Sequence, residues 1–555
     1  MRNLPNSDWL AGRGIDRRAF IKQTSLALLA LGPASAALNW AWAADASPVV
    51  AETAFGKIRG VEDRGIKIFK GVPYGASTAG ANRFMAPVNP AAWTGVRDAT
   101  QYGPSTPQGF GGVLSPAPEL GVPKLKNESE DCLVLNVWTP ALKDGRKRPV
   151  MLWLHGGGFV TGSGSAPDYD GANLARRGDV VVVTINHRLN ALGFTYLAEL
   201  GGADFAASGN AGMLDIVHSL RWVRDNIEQF GGDPNTVMVF GQSGGGRKVG
   251  SLLAMPAGKG LFQRACIESG PTIRLVEKDQ ATKVASMLLK KLGVNKANVR
   301  DLQKLPVEKI MAAYLAVVMD MVDADQMTEG FAPAVDGKFM PQHPFDPSAS
   351  SVNADIPLLV GSTRTEMTLQ YSNVPAVFKL NEADMRLRVK DIVGPTSDAV
   401  LDVYRKANPG ATPSDLFFLI ASDHNYVAPV IKIAERRAAL GKGPVHLYYF
   451  AWETPVEGGR LRSPHTMEIP FAFDNVKISE RFTGGGAKAM ALADKVSDAW
   501  IAFARTGDPN TPKLPHWPAY NATERATMVI NDASKVANDP IREQRVAMSR
   551  VLNLA

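Results

Sequence analysis

Val237-Met238-Val239-Phe240-Gly241-Gln242-Ser243-Gly244-Gly245 is the stretch on which the fold turns. Four apolar residues, two of them β-branched, read as a buried strand. The glycines after them leave room for a sharp turn, and residues beyond Gly245 are compatible with a helix. Working backward, Gly231 to Asn235 is a loop signal. Before it, Met213 to Phe230 carries Leu214, Val217, Leu220, Val223 and Ile227 at helical spacing. Val180 to Ile185 is a β-branched run bounded by Asp179 and Asn186, and Val150 to Leu154 is a short apolar run ending at three glycines. Strand, helix and strand at these intervals predict an α/β protein with a central, mostly parallel sheet flanked by helices.

Further strands are expected at Pro357 to Val360 and His446 to Phe450, and a late amphipathic helix at Ala489 to Arg505. Residues 278–320 read as helical and as part of a cap. Phe55 to Gly60 and Ile66 to Phe69 read as a small antiparallel hairpin.

Gly241-Gln242-Ser243-Gly244-Gly245 in a strand–turn–helix setting is a nucleophile elbow. The strained turn lifts the Ser243 hydroxyl off the carboxyl edge of the sheet, and the residues flanking it must be small so that strand and helix pack closely. A phosphate-cradling loop would need Lys directly after its last Gly, then Ser or Thr. Here Arg247 intervenes and Val249 follows Lys248, and that pair reads as a charged, solvated helix face. His155-Gly156-Gly157-Gly158-Phe159 closes the strand Val150 to Leu154. Glycines there let backbone N–H groups aim at one point, as an oxyanion hole requires.

The chain has 555 residues, 45% of them hydrophobic and 21% charged, which excludes wholesale disorder, collagen-like repeats and coiled coil. The formal charge of +7 is partly local: residues 1–43 hold five Lys or Arg against two acids, leaving +4 spread over the rest. That is too diffuse for a nucleic-acid footprint. Two cysteines, Cys132 and Cys266, cannot form a disulfide framework, and no His or Cys cluster has zinc spacing. No metal or cofactor is expected. Asp16-Arg17-Arg18-Ala19-Phe20-Ile21-Lys22 precedes a mild apolar run that ends at Ala41-Trp42-Ala43. This reads as a twin-arginine signal over residues 1–43, cleaved to leave a single domain over 44–555. The expected location is the periplasm or the medium, with no membrane attachment of the mature form.

Together these motifs resemble the type B carboxylesterase family, which includes para-nitrobenzyl esterases and cholinesterases. The likeness runs from about Phe55 to Trp517. It takes in Phe69 to Tyr74, Arg83-Phe84, Glu130 to Val137, Gly209-Asn210, Val335-Asp336-Gly337 and Pro464 to Phe471, besides the two glycine motifs. The resemblance implies an α/β-hydrolase fold with helical cap insertions and a Ser-Glu-His triad. Carried over residue by residue, the nucleophile is Ser243. The acid is Glu366, in Gly361 to Met367, and the base is His465, ahead of Glu468-Ile469. The oxyanion donors are the N–H groups of Gly157, Gly158 and Gly244.

This sequence departs from the family pattern at several points. Gln242 stands where relatives have Glu, Thr365 and Met367 replace the Asp and Gly around the acid, and Gly244 replaces an Ala. Thr106 stands where relatives place a cysteine that pairs with the one at Cys132, so Cys132 is expected as a free, buried thiol. Eight histidines compete for the base role: His424 beside Asp423 points elsewhere in most backbones, and His446 falls within a strand pattern. The function implied is hydrolysis of a small-molecule carboxylic ester through an acyl-enzyme. Amidase, lactonase, thioesterase and carbamate hydrolase use the same machinery, and a non-catalytic binding module is the rival from another class.

Overall fold

The computed structural model describes residues 47–108, 127–323 and 330–554; the signal segment lies outside these. Fifteen strands are formed among the described residues. In chain order they are β1 (Ser47–Thr53), β2 (Gly56–Asp63), β3 (Ile66–Pro73), β4 (Val96–Asp98), β5 (Val134–Thr139), β6 (Arg148–Leu154), β7 (Val181–Ile185) and β8 (Gly232–Gln242). Then follow β9 (Arg264–Glu268), β10 (Val276–Glu277), β11 (Ala334–Val335), β12 (Leu358–Thr363), β13 (Val445–Phe450), β14 (Ala526–Ile530) and β15 (Lys535–Asn538). Thirteen of them make one sheet in the order β1-β2-β3-β5-β7-β6-β8-β9-β12-β13-β14-β15, with β4 on β2; β10 and β11 pair separately.

The seven strands from β7 to β14 are mutually parallel, and antiparallel strands extend both ends. The expected N-terminal hairpin is present, but not as a separate unit: β1 pairs with β2, and β3 joins the main sheet through β5.

The parallel strands are apolar throughout because both faces are covered. Alternation still sorts their side chains. Val150, Leu152 and Leu154 of β6 and Val237 and Val239 of β8 enter one core, with Met213, Ile216, Leu220 and Val223 from the helix Ala211–Asn226. Met151, Trp153, Met238 and Phe240 enter the opposite core, under the helix Ala487–Thr506. Burying a side chain of this size contributes about 1.5–3 kcal/mol. The predicted helix from Met213 to Phe230 ends earlier, at Asn226, and tightens into a 3₁₀ turn, Ile227–Phe230, before Gly231 adopts φ 71°.

Residues 278–320 are helical as expected, in Lys278–Leu292 and Val307–Asp323. Their apolar residues, among them Leu288, Ile310 and Tyr314, pack into the first core. A third apolar cluster lies after β12, among the helices Glu382–Val393, Ser397–Ala407 and Pro413–Ser422. No described helix is long and apolar enough to cross a membrane.

Candidate active site

The register of two neighbouring strands brings the two glycine motifs together. Leu154, the last residue of β6, lies opposite Gly241 of β8. The chain leaving β6 as His155-Gly156 therefore emerges beside the chain leaving β8 as Gln242-Ser243, although some 85 residues separate them. A Cβ built on Gly156 would lie 3.5 Å from the Ser243 Cβ. The crevice at the carboxyl ends of parallel strands is where α/β sheets bind ligands.

Ser243 has φ 57° and ψ −123°, a conformation that costs a non-glycine residue about 1–3 kcal/mol. The fold holds it there. Its N–H donates to the Glu268 carbonyl at 2.8 Å, and its carbonyl accepts from Arg247 N at 2.9 Å as the helix Gly244–Leu252 begins. Gly245 tolerates no side chain, since a Cβ would come within 1.9 Å of the Leu154 carbonyl oxygen. The side chain of Ser243 is partly open and faces a cavity of about 560 Å³ shared with Gly158 and Gly244.

Gly157 and Gly158 both adopt positive φ, 87° and 63°, which glycine takes at no steric cost. The Gly157 carbonyl accepts from Val160 N and Thr161 N, at 3.2 and 3.0 Å, which closes the turn. Gly244 lies directly against it, a Cβ there falling 2.4 Å from Gly158 N. The three glycines predicted as oxyanion donors are thus one cluster at the end of Ser243's strand.

Glu366 follows β12 by three residues and His465 follows β13 by fifteen; the two strands are parallel neighbours, so both residues arrive at the same edge. The Glu366 carboxylate is fully buried and its Oε2 is hydrogen-bonded to His465 Nδ1. Its other oxygen accepts from Thr363 N at 2.8 Å. Thr365 and Met367, which depart from the family pattern, leave Glu366 beside His465. His465 N donates to the Glu366 carbonyl at 3.3 Å. The imidazole lies against Gln242, the neighbour of Ser243, with Nε2 of the amide 3.3 Å from both ring nitrogens. The Tyr426 ring is 4.8 Å from it, centroid to centroid.

Three of the other histidines pack against rings elsewhere. His155 and His187 stack on each other at 4.9 Å, and burial lowers the pKa of both well below the usual imidazole value. His446 packs edge-on against Trp517.

Two further glutamates, absent from the sequence reading as functional groups, surround the pair. Glu468, three residues after His465 and just ahead of the short helix Ile469–Ala472, accepts from Ser269 Oγ at 2.8 Å. Glu268 accepts from Trp500 Nε1 at 2.7 Å. Both are fully buried, and burial raises both pKa values, Glu268 to about 7. The His-x-x-Glu spacing was the available signal for Glu468. Glu268 left none, since it ends an ordinary apolar strand.

One expectation is corrected. Lys248 is not on a solvated face: it is wholly buried, and Nζ donates to the His155 carbonyl at 3.0 Å, because its helix faces the end of β6. Arg247 is half-buried, lies over the Phe159 ring at 5.0 Å and lines the cavity. None of the residues that line the cavity comes from 278–320. The wall is built by Ile273 and Arg274, by Met367 and Gln370, by Asn425, Tyr426 and Pro429, and by Leu552 to Leu554. Asn425 and Tyr426 belong to a π-helical turn, Asp423–Val427, of a kind often found at functional sites. Cys132 is a free buried thiol as expected, with Thr106 Oγ1 3.1 Å from its sulfur, and burial pushes its pKa up to about 12.

Comparison with known proteins agrees with this architecture. Residues 47–549 match the carboxylesterase family. Para-nitrobenzyl esterase of Bacillus subtilis is 36% identical over 500 residues, covering 89% of this chain and 97% of its own. Phenmedipham hydrolase of Pseudarthrobacter oxydans is 34% identical, covering 90% of this chain and 98% of its own. The crystal structure of a carboxylesterase from Geobacillus stearothermophilus superposes with a TM-score of 0.77 at 37% identity, covering 90% of this chain and 99% of that one. The chain belongs to the carboxylesterase family, and by that membership it is a carboxylic ester hydrolase with the α/β-hydrolase fold.

Proposed function

We propose that this protein is a serine esterase whose nucleophile is Ser243, base His465 and acid Glu366, with Gly157, Gly158 and Gly244 as oxyanion donors. The observation that carries the reading is the His465–Glu366 bond. With Nδ1 held by a buried carboxylate, Nε2 is the nitrogen left to serve a hydroxyl, and the ring already rests on the residue before Ser243. His465 takes the Ser243 proton as Oγ adds to the ester carbonyl, and the oxygen that becomes negative is received by the glycine amides. Collapse of the adduct expels the alcohol, which takes the proton back from the imidazolium. Water, deprotonated by the same nitrogen, then adds to the acyl-serine and releases the acid. Glu366 keeps the ring oriented and stabilises its charged form.

A cavity of about 560 Å³ with both apolar and polar walls suits small neutral esters. Ser243→Ala should abolish hydrolysis of p-nitrophenyl acetate in a spectrophotometric assay, and substantial retained turnover would refute the assignment. Export is proposed as well, on the strength of Arg17-Arg18 and the small residues around Ala43. Replacing both arginines by lysine should leave the protein in the cytoplasmic fraction; periplasmic recovery would overturn that part.

A further inference from the structure

A turn built from three glycines has the freest backbone a chain can have, so its shape must be imposed from outside. At its exit the restraints are ordinary: the Val160 and Thr161 amides bond the Gly157 carbonyl, and Asn190 N donates to the Phe159 carbonyl at 2.7 Å. At its entry His155 Nδ1 lies 2.8 Å from the Gly156 carbonyl oxygen, and a second restraint is unusual. Lys248, five residues after Ser243 on the helix Gly244–Leu252, reaches the His155 carbonyl with its amine, at 3.0 Å. One turn earlier on the same helix, Gly245 presses on the Leu154 carbonyl. The helix that carries the nucleophile thus grips two successive carbonyls at the end of β6, one by contact and one by a hydrogen bond. Gly156, Gly157 and Gly158 follow directly.

The placement is costly. Lys248 is wholly buried, and among the described residues no carboxylate pairs with it. Its charged or titratable surroundings are Arg247 on its own helix and the stacked His155 and His187 on the strand side. Burial holds the amine well below its ordinary pKa, yet an amine donates to a carbonyl in either protonation state. For packing alone, a small apolar side chain would serve at this position with no desolvation penalty.

We infer that Lys248 is a positioning residue for the oxyanion turn: its bond to the His155 carbonyl fixes the peptide planes of Gly156 to Gly158 relative to Ser243 and Gly244. This rests on the serine-esterase reading above. The effect falls on the transition state rather than on ground-state binding, because the donors are wanted only once the carbonyl oxygen becomes negative.

The test compares wild type, Ser243→Ala, Lys248→Met and Lys248→Gln on p-nitrophenyl acetate. Active sites are counted by stoichiometric fluorophosphonate labelling, and affinity is measured for a trifluoromethyl ketone that forms a tetrahedral serine adduct. Lys248→Met should lower kcat per active site by about tenfold to a hundredfold, the effect of a displacement of roughly 1 Å, with KM within about twofold. Affinity for the ketone should fall by the same factor as kcat/KM. Lys248→Gln, which keeps an N–H donor on a shorter arm, should recover part of both, and it carries the test if the Met variant does not fold. Wild-type kcat and ketone affinity in either variant that folds would overturn the inference, as would a loss confined to KM or to the number of active sites. An inert wild type, or an active Ser243→Ala, would overturn the serine-esterase reading itself and this inference with it.

Discussion

Glu268→Gln should make the protein more resistant to unfolding, and increasingly so as the pH rises. Glu268 ends β9 with no exposure to solvent, and its Oε2 has no partner among the described residues. Burial raises its pKa from 4.5 to about 7. In the unfolded chain the same carboxyl loses its proton near the ordinary glutamate value. Between those two pH values the folded protein binds a proton that the unfolded chain releases. Stability therefore falls as pH climbs from about 4.5 to 7, and levels off above. A tenfold difference in proton affinity between the folded and unfolded chains is worth about 1.4 kcal/mol, so the full loss is about 3 kcal/mol. Glutamine keeps the shape and the acceptor for Trp500 Nε1 but has no proton to lose. For a cooperative unit of this length, with an unfolding entropy of about 2 cal/mol/K per residue, that is about 3 °C in Tm. The assay is thermal unfolding of both proteins from about pH 4.5 to pH 8.5, read as variant minus wild type. The difference should be near zero at the acid end and reach its plateau above about pH 7. A difference independent of pH would refute the placement of a proton on this carboxyl.

Glu366→Gln removes the charge that stabilises the imidazolium, so kcat should fall by about a thousandfold or more with little change in Tm; retention of a tenth of the activity would contradict its role. Gly245→Ala drives a Cβ to within 1.9 Å of the Leu154 carbonyl oxygen. The Cβ is fixed rigidly to the backbone and its neighbour is a backbone oxygen, so the elbow must open, and turnover per active site should drop by about a hundredfold or more; a fully active variant would sink the packing argument. Gln242 puts a neutral amide beside His465, so a choline ester gains no attraction there, and its kcat/KM should not exceed that of its uncharged isostere, the missing contact being worth on the order of 1 kcal/mol. A preference for the cation would overturn this.

What could be read from the sequence was local. Runs such as Val180 to Ile185 and Val237 to Phe240 announce strands because both sheet faces are covered, and the glycine motifs announce turns because nothing larger fits there. The match of His465 and Glu366 came from the family resemblance, since a loop histidine and one acid among 54 carry no periodic signal. Lys248 escapes a local reading for a physical reason: adjacent Arg and Lys on a helix usually face water, and the strand end that covers Lys248 lies 93 residues away in the chain. The cavity wall escapes for the same reason. Nothing in Asn425-Tyr426 or Leu552 to Leu554 says which distant hydroxyl they stand beside. Helical periodicity in 278–320 shows that those segments bury a face without showing which space they enclose.

The residues proposed to react and much of the cavity wall come from different parts of the chain. Ser243, His155 to Gly158, Glu366 and His465 hang from the ends of β8, β6, β12 and β13, whereas much of the wall comes from the helical region after β12 and from the last residues described. Divergence can therefore run at two speeds. Replacing Gln370, Asn425 or Leu554 remodels what fits without disturbing strand register, so a mutagenesis library restricted to those three positions should yield altered acyl and alcohol preferences at a high fraction of intact catalysts.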